Sequence, residues 1–191
     1  MKESEKGQIL RAGFYSRKTL AVAKELLGKY LVRDLHGTQL AGRIVETEAY
    51  VGPHDLACHA SKGRTARTDV LYGPPGTAYV YLIYGMYWCM NVVTEREGYP
   101  AAVLIRAVEL VHDGEAKLID GPGRTCRALH IDKHLNRWDL TLGDRLWLED
   151  RGDRIRRTEF SATPRIGVDY AGTWAAKPFR FRLKRLARRS S

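Results

Sequence analysis

Two long runs of strand-forming residues, each broken once by a turn dipeptide, constrain the fold of this chain more than any other feature. The first, KYLVRDLHGTQLAGRIVETEAYVGP, turns near His36-Gly37, and the second, TAYVYLIYGMYWCMNVV, turns near Tyr84-Gly85. β-Branched and aromatic residues on both sides of such a turn read as hairpins. AAVLIRAVEL and RLWLED add strands, and PFRFRLKRL a last one with strict apolar/basic alternation. Helical signals are short. In SRKTLAVAKELLG, Ser16 is a candidate cap, Leu20, Ala23 and Leu27 recur at helical spacing, and Gly28 is placed to stop the helix. GPGRTCRALHI opens a second helix behind glycines. Strands that arrive as hairpins, not alternating with helices, predict an α+β fold. With no repeat and no low-complexity linker, the expectation is a single compact domain over residues 1–191. It has a curved, mostly antiparallel β-sheet core, flanking short helices and a basic tail from about residue 184 to 191.

Composition narrows the partners. Lys plus Arg number 32 against 22 Asp plus Glu, a formal charge of +10, which is the footprint of a polyanion binder. A solvated basic strand and tail, FRFRLKRLARRSS, would account for much of the same excess. No apolar run reaches the roughly 18 residues of a membrane span, and MKESEKGQIL lacks the apolar centre of a signal peptide. A soluble, cytoplasmic protein is expected, nucleoid-associated if bacterial. Cys58, Cys89 and Cys126 are odd in number, far apart and without a C-x-x-C pair, so they read as reduced thiols and not as a disulfide framework or zinc site.

Several stretches carry candidate chemistry. A period of two along LAGRIVETEAYVG puts Ile44, Glu46, Glu48 and Tyr50 on one face, carboxylates among apolar neighbours, either a general base pair or a solvated sheet face. Arg106 sits between AVLI and AVEL; a buried guanidinium needs a partner, and Glu46 and Glu48 are the natural candidates. His54, Cys58 and His59 have no common zinc spacing, so His59 is better read as a stacking or hydrogen-bonding group. Arg64 and Arg67, in a small polar loop with Lys62, suit phosphate contacts or simple solvation. Arg124 follows Gly121 and Gly123 at a helix start, an anion site or an ordinary helix capped by Asp120. Tyr79, Tyr81 and Ile83 should share a strand face, while Tyr84 sits at a hairpin tip. They are either a tyrosine-rich core face or a wedge with a stacking pocket behind it.

Taken together and in order, GRIVETEAYVGPHDLACH, GPPGTAYVYLIYGMYWCMNVV, LIRAVE, DGPGRTCRAL and RIGVDYAGTWAAKPFRF closely resemble the alkyladenine (3-methyladenine, methylpurine) DNA glycosylase family of base-excision repair. The resemblance runs from about Leu20 to Phe181. It implies a monofunctional enzyme that flips alkylated or deaminated purines out of double-stranded DNA and hydrolyses the N-glycosidic bond, with no metal and no cofactor; a monomer is expected because the chain alone supplies a complete site. It implies that Glu48 is the general base that activates water and that Arg106 helps to hold both. Ile166 would offer a backbone carbonyl to that water. Tyr50, His59 and Tyr81 match the walls around the flipped base, Asn91 the amide that discriminates against the 2-amino group of guanine, and Tyr84 the residue inserted into the minor groove. Arg124 and Lys133 match phosphate-contacting positions. By this correspondence Glu46 has no catalytic role, and Tyr79 and Tyr87 are packing residues.

Overall fold

A computed structural model describes residues 7–112 and 115–184. Its strands are β1 (Gln8–Ile9), β2 (Tyr30–Leu35), β3 (Thr38–Tyr50), β4 (Ala78–Ile83), β5 (Tyr87–Thr94), β6 (Ala101–His112), β7 (Glu115–Asp120), β8 (Leu146–Asp150), β9 (Phe160–Thr163) and β10 (Arg180–Leu183). Three short α-helices join them: α1 (Ala12–Tyr15), α2 (Thr19–Glu25) and α3 (Pro122–Ala128). All ten described strands belong to one open, antiparallel sheet; seven follow the order β1-β8-β2-β3-β6-β5-β4, while β7 pairs with β6, β10 with β3, and β9 with β10. The two long central strands each divide an edge between two partners. Strand β3 pairs with β2 through residues 38–43 and with β10 through 46–48, and β6 pairs with β5 through 101–104 and with β7 through 107–112. The α+β expectation is met. The basic tail, from residue 185 on, lies outside the described residues.

Both hairpins form where expected, for a conformational reason. His36 (φ 54°) and Gly37 (φ 92°) are left-handed, and Asp34 Oδ1 accepts the Gly37 N–H at 2.7 Å. Such turns match the twist of the flanking strands. Tyr84 (φ 53°) and Gly85 (φ 69°) turn the second hairpin. Helix α2 starts at Thr19, two residues later than Ser16 as a cap would require. Ser16 closes α1 instead, and the first-turn N–H of Thr19 is capped from afar by Glu95 Oε1 at 2.7 Å. At the other end Gly28 is left-handed (φ 82°), and a Cβ there would meet Ile155 at 2.9 Å, so only glycine fits the stop.

Alternation splits the sheet into a core face and a second face. Val80, Met90, Val92, Val103, Ile105 and Ala49 point to the same side as α2 and α3 and join Val22, Leu26 and Leu129 in the main core. The expectation that Ile44 shares a face with Glu46 and Glu48 is corrected here. The β3–β6 register shifts around Glu46, which pairs with Ala107 between the regular pairs Ile44–Val108 and Thr47–Ile105. Such an irregularity breaks the period of two. Ile44 therefore enters the core with Ala49, on the side where Thr47 donates to Ala23 O, while Glu46, Glu48 and Tyr50 keep the opposite face. Strand β7 carried no clear periodic signal because EAKLID mixes charges into both faces.

Candidate active site

Register brings the second face together. Glu48 pairs with Leu104, Leu104 with Asn91, and Asn91 with Tyr79, so one row crosses four strands. One step along, Tyr50 pairs with Ala102; in the other direction Cys89 pairs with Tyr81, with Arg106 on the same side of β6 as Leu104. All of these side chains except Glu48 line a cavity of about 120 Å³, together with His59 and the turn Ile166–Val168. The cavity thus collects six predicted residues: Tyr50, His59, Tyr81, Asn91, Arg106 and Ile166.

Glu48 does not itself line the cavity; it lies directly behind Tyr50, Arg106 and Ile166, which do, and has no solvent exposure. Oε1 accepts the Ile166 N–H at 2.9 Å and faces Arg106 Nη1 at 3.4 Å, and Oε2 accepts the Tyr50 hydroxyl at 2.9 Å. Each carboxylate oxygen has two lone pairs; among the described residues Oε2 takes a single hydrogen bond and Oε1 one hydrogen bond plus the Arg106 ion pair, which leaves acceptor capacity on Oε2. Burial pushes the carboxyl above the usual range, while Arg106, the Ile166 amide and the Tyr50 hydroxyl pull it back. Burial, and then the adjacent Glu48, drive the Tyr50 phenol far up, so it remains a donor. The Ile166 peptide meets the carboxylate through its N–H, a contact that the resemblance did not imply.

Glu46 is also fully buried, and arginines satisfy it. Arg106 Nε donates to Oε1 at 2.9 Å and Arg182 Nη1 to Oε2 at 2.8 Å, with Arg180 at 3.5 Å. Arg106 therefore bridges both glutamates, as its apolar flanks demanded. A carboxylate engaged this fully is a counter-ion and not a free base.

The aromatic wall is denser than expected. Tyr79, read as packing, lines the cavity, and its hydroxyl lies 2.9 Å from His59 Nδ1. Its ring stands 5.0 Å from that of Tyr81, against which His59 packs edge-on at 4.7 Å. Alternation with Tyr81 was a sufficient signal. Burial first, then the charges of Arg67 and Lys62, lower the His59 imidazole to about 4, so the ring is neutral near pH 7. Asn91 is buried with Nδ2 donating to Tyr79 O at 3.3 Å. Tyr87, expected to pack, is instead exposed at the start of β5, with one side of it against Gly123 of α3.

Outside the cavity Tyr84 is 81 % exposed. A bulky aromatic held at φ 53° is a conformation found where geometry serves another end than packing. Arg67 lies 5.0 Å over the Tyr81 ring and donates to Leu82 O, so it stands at the pocket rim. Arg64 pairs with Asp69 and stacks on Tyr72. Arg124 and Lys133 are exposed and do not line the cavity. Gly121 caps α3 without a side-chain bond, and Asp120, the alternative cap, instead pairs with Arg182. The three cysteines are free and buried. Sequence reasoning missed Tyr170, 69 % exposed at the cavity mouth, and a buried pair, Arg165–Asp55, that joins two loops around it.

The methylpurine-DNA glycosylase family profile matches residues 13–187. Close relatives share the name "Putative 3-methyladenine DNA glycosylase". The protein of Methanocella arvoryzae is 51% identical over 185 residues, covering 91% of each chain. That of Myxococcus xanthus is 55% identical over 172 residues, covering 90% of this chain and 88% of its own. That of Legionella pneumophila strain Lens is 54% identical over 173 residues, covering 90% and 92%. These matches define the class, a DNA glycosylase of base-excision repair. The chain belongs to the methylpurine-DNA glycosylase family.

Proposed function

We propose that the protein acts as a monomer on double-stranded DNA, extrudes alkylated or deaminated purines and hydrolyses their N-glycosidic bond without a lyase step. The observation that carries this reading is Glu48, a fully buried carboxylate held by Tyr50, Ile166 and Arg106, three residues that line the aromatic cavity. A water accepted there is within reach of the sugar of a base lodged between Tyr50, His59 and Tyr81. Glu48 removes its proton as it attacks, and the carboxylate and its raised proton affinity suit it as a base. Arg106 and the Ile166 peptide hold the carboxylate in register, and the Ile166 carbonyl is a second candidate acceptor for the water.

Extruding a base costs a few kcal/mol of stacking. Tyr84, exposed at the hairpin tip, fills the vacated stack, and the pocket aromatics recover about 1–3 kcal/mol per base. N-alkylation makes the purine a cationic leaving group, so a neutral His59 beside it adds no repulsion. Asn91, held by Tyr79 O, stands where the 2-amino group of guanine would enter. Arg64, Arg67, Arg124 and Lys133 supply cations for backbone phosphates. Among the described residues lining the cavity none is a lysine, which supports a hydrolytic and not a Schiff-base route.

The test is single-turnover excision from a duplex with one hypoxanthine, and from alkylated DNA, in wild type and Glu48→Gln. Base release, strand breaks only after hot alkali, and a loss of at least about 100-fold in the variant are expected. Breaks without alkali would establish a lyase. DNA binding without release by the wild type would leave a protein that recognises lesions or RNA without catalysis.

A further inference from the structure

We propose that Arg165, clamped by Asp55, is a positioning residue that fixes the general base Glu48 through the Ile166 amide and the Tyr50 ring. The inference rests on Glu48 being that base. Both side chains of the pair are wholly buried. Arg165 Nη1 and Nη2 bind the two oxygens of Asp55, at 2.5 and 2.8 Å. Nη1 also donates to Ala49 O at 2.9 Å, next to Glu48 in β3, and Nη2 to Trp174 O at 3.3 Å. Asp55 in turn accepts the N–H groups of Val51 and Ala57, which shapes the loop leading to His59. Only Nε lacks an acceptor, so the fork of the guanidinium makes every tie.

One planar group therefore joins the end of β3, the 51–57 loop, the 165–168 turn and the Trp174 turn. Two of its effects reach the chemistry. The residue after it gives its N–H to Glu48 Oε1 at 2.9 Å, and the Arg165 guanidinium carbon lies 4.8 Å from the centre of the Tyr50 ring, whose hydroxyl holds Glu48 Oε2. Carboxylate oxygen and donor lie on elements 118 residues apart; the hydrogen bonds of Arg165 to Ala49 O and Asp55 pin the turn to the end of β3 beside that contact, where Val168 also packs near Tyr50. A fully buried ion pair contributes little net stability compared with an apolar pair of the same size. Positioning accounts for its place better than folding energy does. Lysine cannot replace it, because a single ammonium lacks the fixed fork.

The experiment compares wild type, Arg165→Met, Arg165→Lys and Asp55→Asn on the hypoxanthine duplex. The readouts are single-turnover rate against pH, affinity for a duplex with a tetrahydrofuran abasic analogue, and thermal midpoint. The groups facing Glu48 are Glu46 and Tyr50 on β3, Arg106 on β6, Cys89 on β5, Tyr81 on β4 and Arg165 itself. Of these the Arg165 variants alter only the last. A displaced donor costs roughly 10- to 100-fold in rate. Arg165→Met should lose that much at saturating enzyme while holding the abasic duplex within about threefold, and its acid limb should move to higher pH as Glu48 loses the Ile166 N–H. Arg165→Lys should show the same loss, because charge without the fork does not restore the ties. A lowered midpoint with unchanged rate and pH profile would overturn the inference, as would full rescue by lysine. Should Arg165→Met fail to fold, Arg165→Lys and Asp55→Asn decide between the same outcomes. If the wild type releases no base, the glycosylase reading itself fails; if only the variants behave as wild type, this inference alone does.

Discussion

Tyr50 serves two purposes in one side chain, and Tyr50→Phe separates them. The ring is part of the aromatic wall, and among the described residues the hydroxyl is the one hydrogen-bond donor to Glu48 Oε2, at 2.9 Å. Phenylalanine keeps the first and deletes the second. A hydrogen bond to a charged group contributes about 1.5–3 kcal/mol, and water entering the open cavity replaces part of it. The lower end, about 1.5 kcal/mol, corresponds to about a tenfold rise in the proton affinity of the carboxylate. The sign follows from the state that the bond favours. Tyr50 stabilises ionised Glu48, so its loss favours the protonated form, which cannot take a proton from water. The single-turnover rate should therefore fall about tenfold on the acid limb and converge with wild type at high pH, where both are ionised. Affinity for the abasic duplex should not change, because the stacking surface is intact. Rate profiles from pH 5 to 9 at saturating enzyme measure this directly. Superimposable acid limbs would refute the reasoning, as would a uniform loss at all pH values, which would point to a misplaced base and not a retuned one.

Two further outcomes test the wall and the wedge. The His59 imidazole should titrate near about 4 by NMR, because burial, then Arg67 and Lys62, oppose its charge. The unfolded ring takes its proton near 6.5, so this contribution to stability is intact above that pH and is lost as pH falls from about 6.5 towards 4; a midpoint near 6.5 would mean a solvated ring outside the wall. Tyr84→Ala should leave the thermal midpoint within about 2 °C, as expected of an exposed side chain, yet lower excision from duplex DNA about 10- to 100-fold. Single-stranded substrate, with no stack to refill, should be processed as by wild type, and an equal loss on both would remove the wedge from the mechanism.

What could be read in the sequence divides along the range of the interactions. The hairpin turns were legible because His36-Gly37 and Tyr84-Gly85 need left-handed backbone, a local demand that a dipeptide declares. The pairing of Arg106 with the glutamates was legible because a charge between apolar flanks has few places to go. Tyr79 packs in a buried cluster, as expected, and its alternation with Tyr81 also brings it to the cavity wall. Ile44 was misplaced because the register shift around Glu46 belongs to the pair of strands and leaves no mark in either one. Ser16 failed as a cap because the acceptor that Thr19 uses, Glu95, is 76 residues away.

Arg165 and Asp55 mark the far end of that scale, 110 residues apart and unremarkable in their own stretches. The site itself is assembled in the same way. Its central row, Glu48–Leu104–Asn91–Tyr79, takes one residue from each of four strands, so a strand pattern reveals which face a residue occupies but not its neighbours. Neighbours are set by register, and register is set by turns and by the pairing of long strands. A chain that spreads its chemistry over several strands and two loops therefore gains a rigid wall for the base. It must then hold the loops to that wall, and the residues that do so are those with the weakest local signal and the strongest long-range geometry.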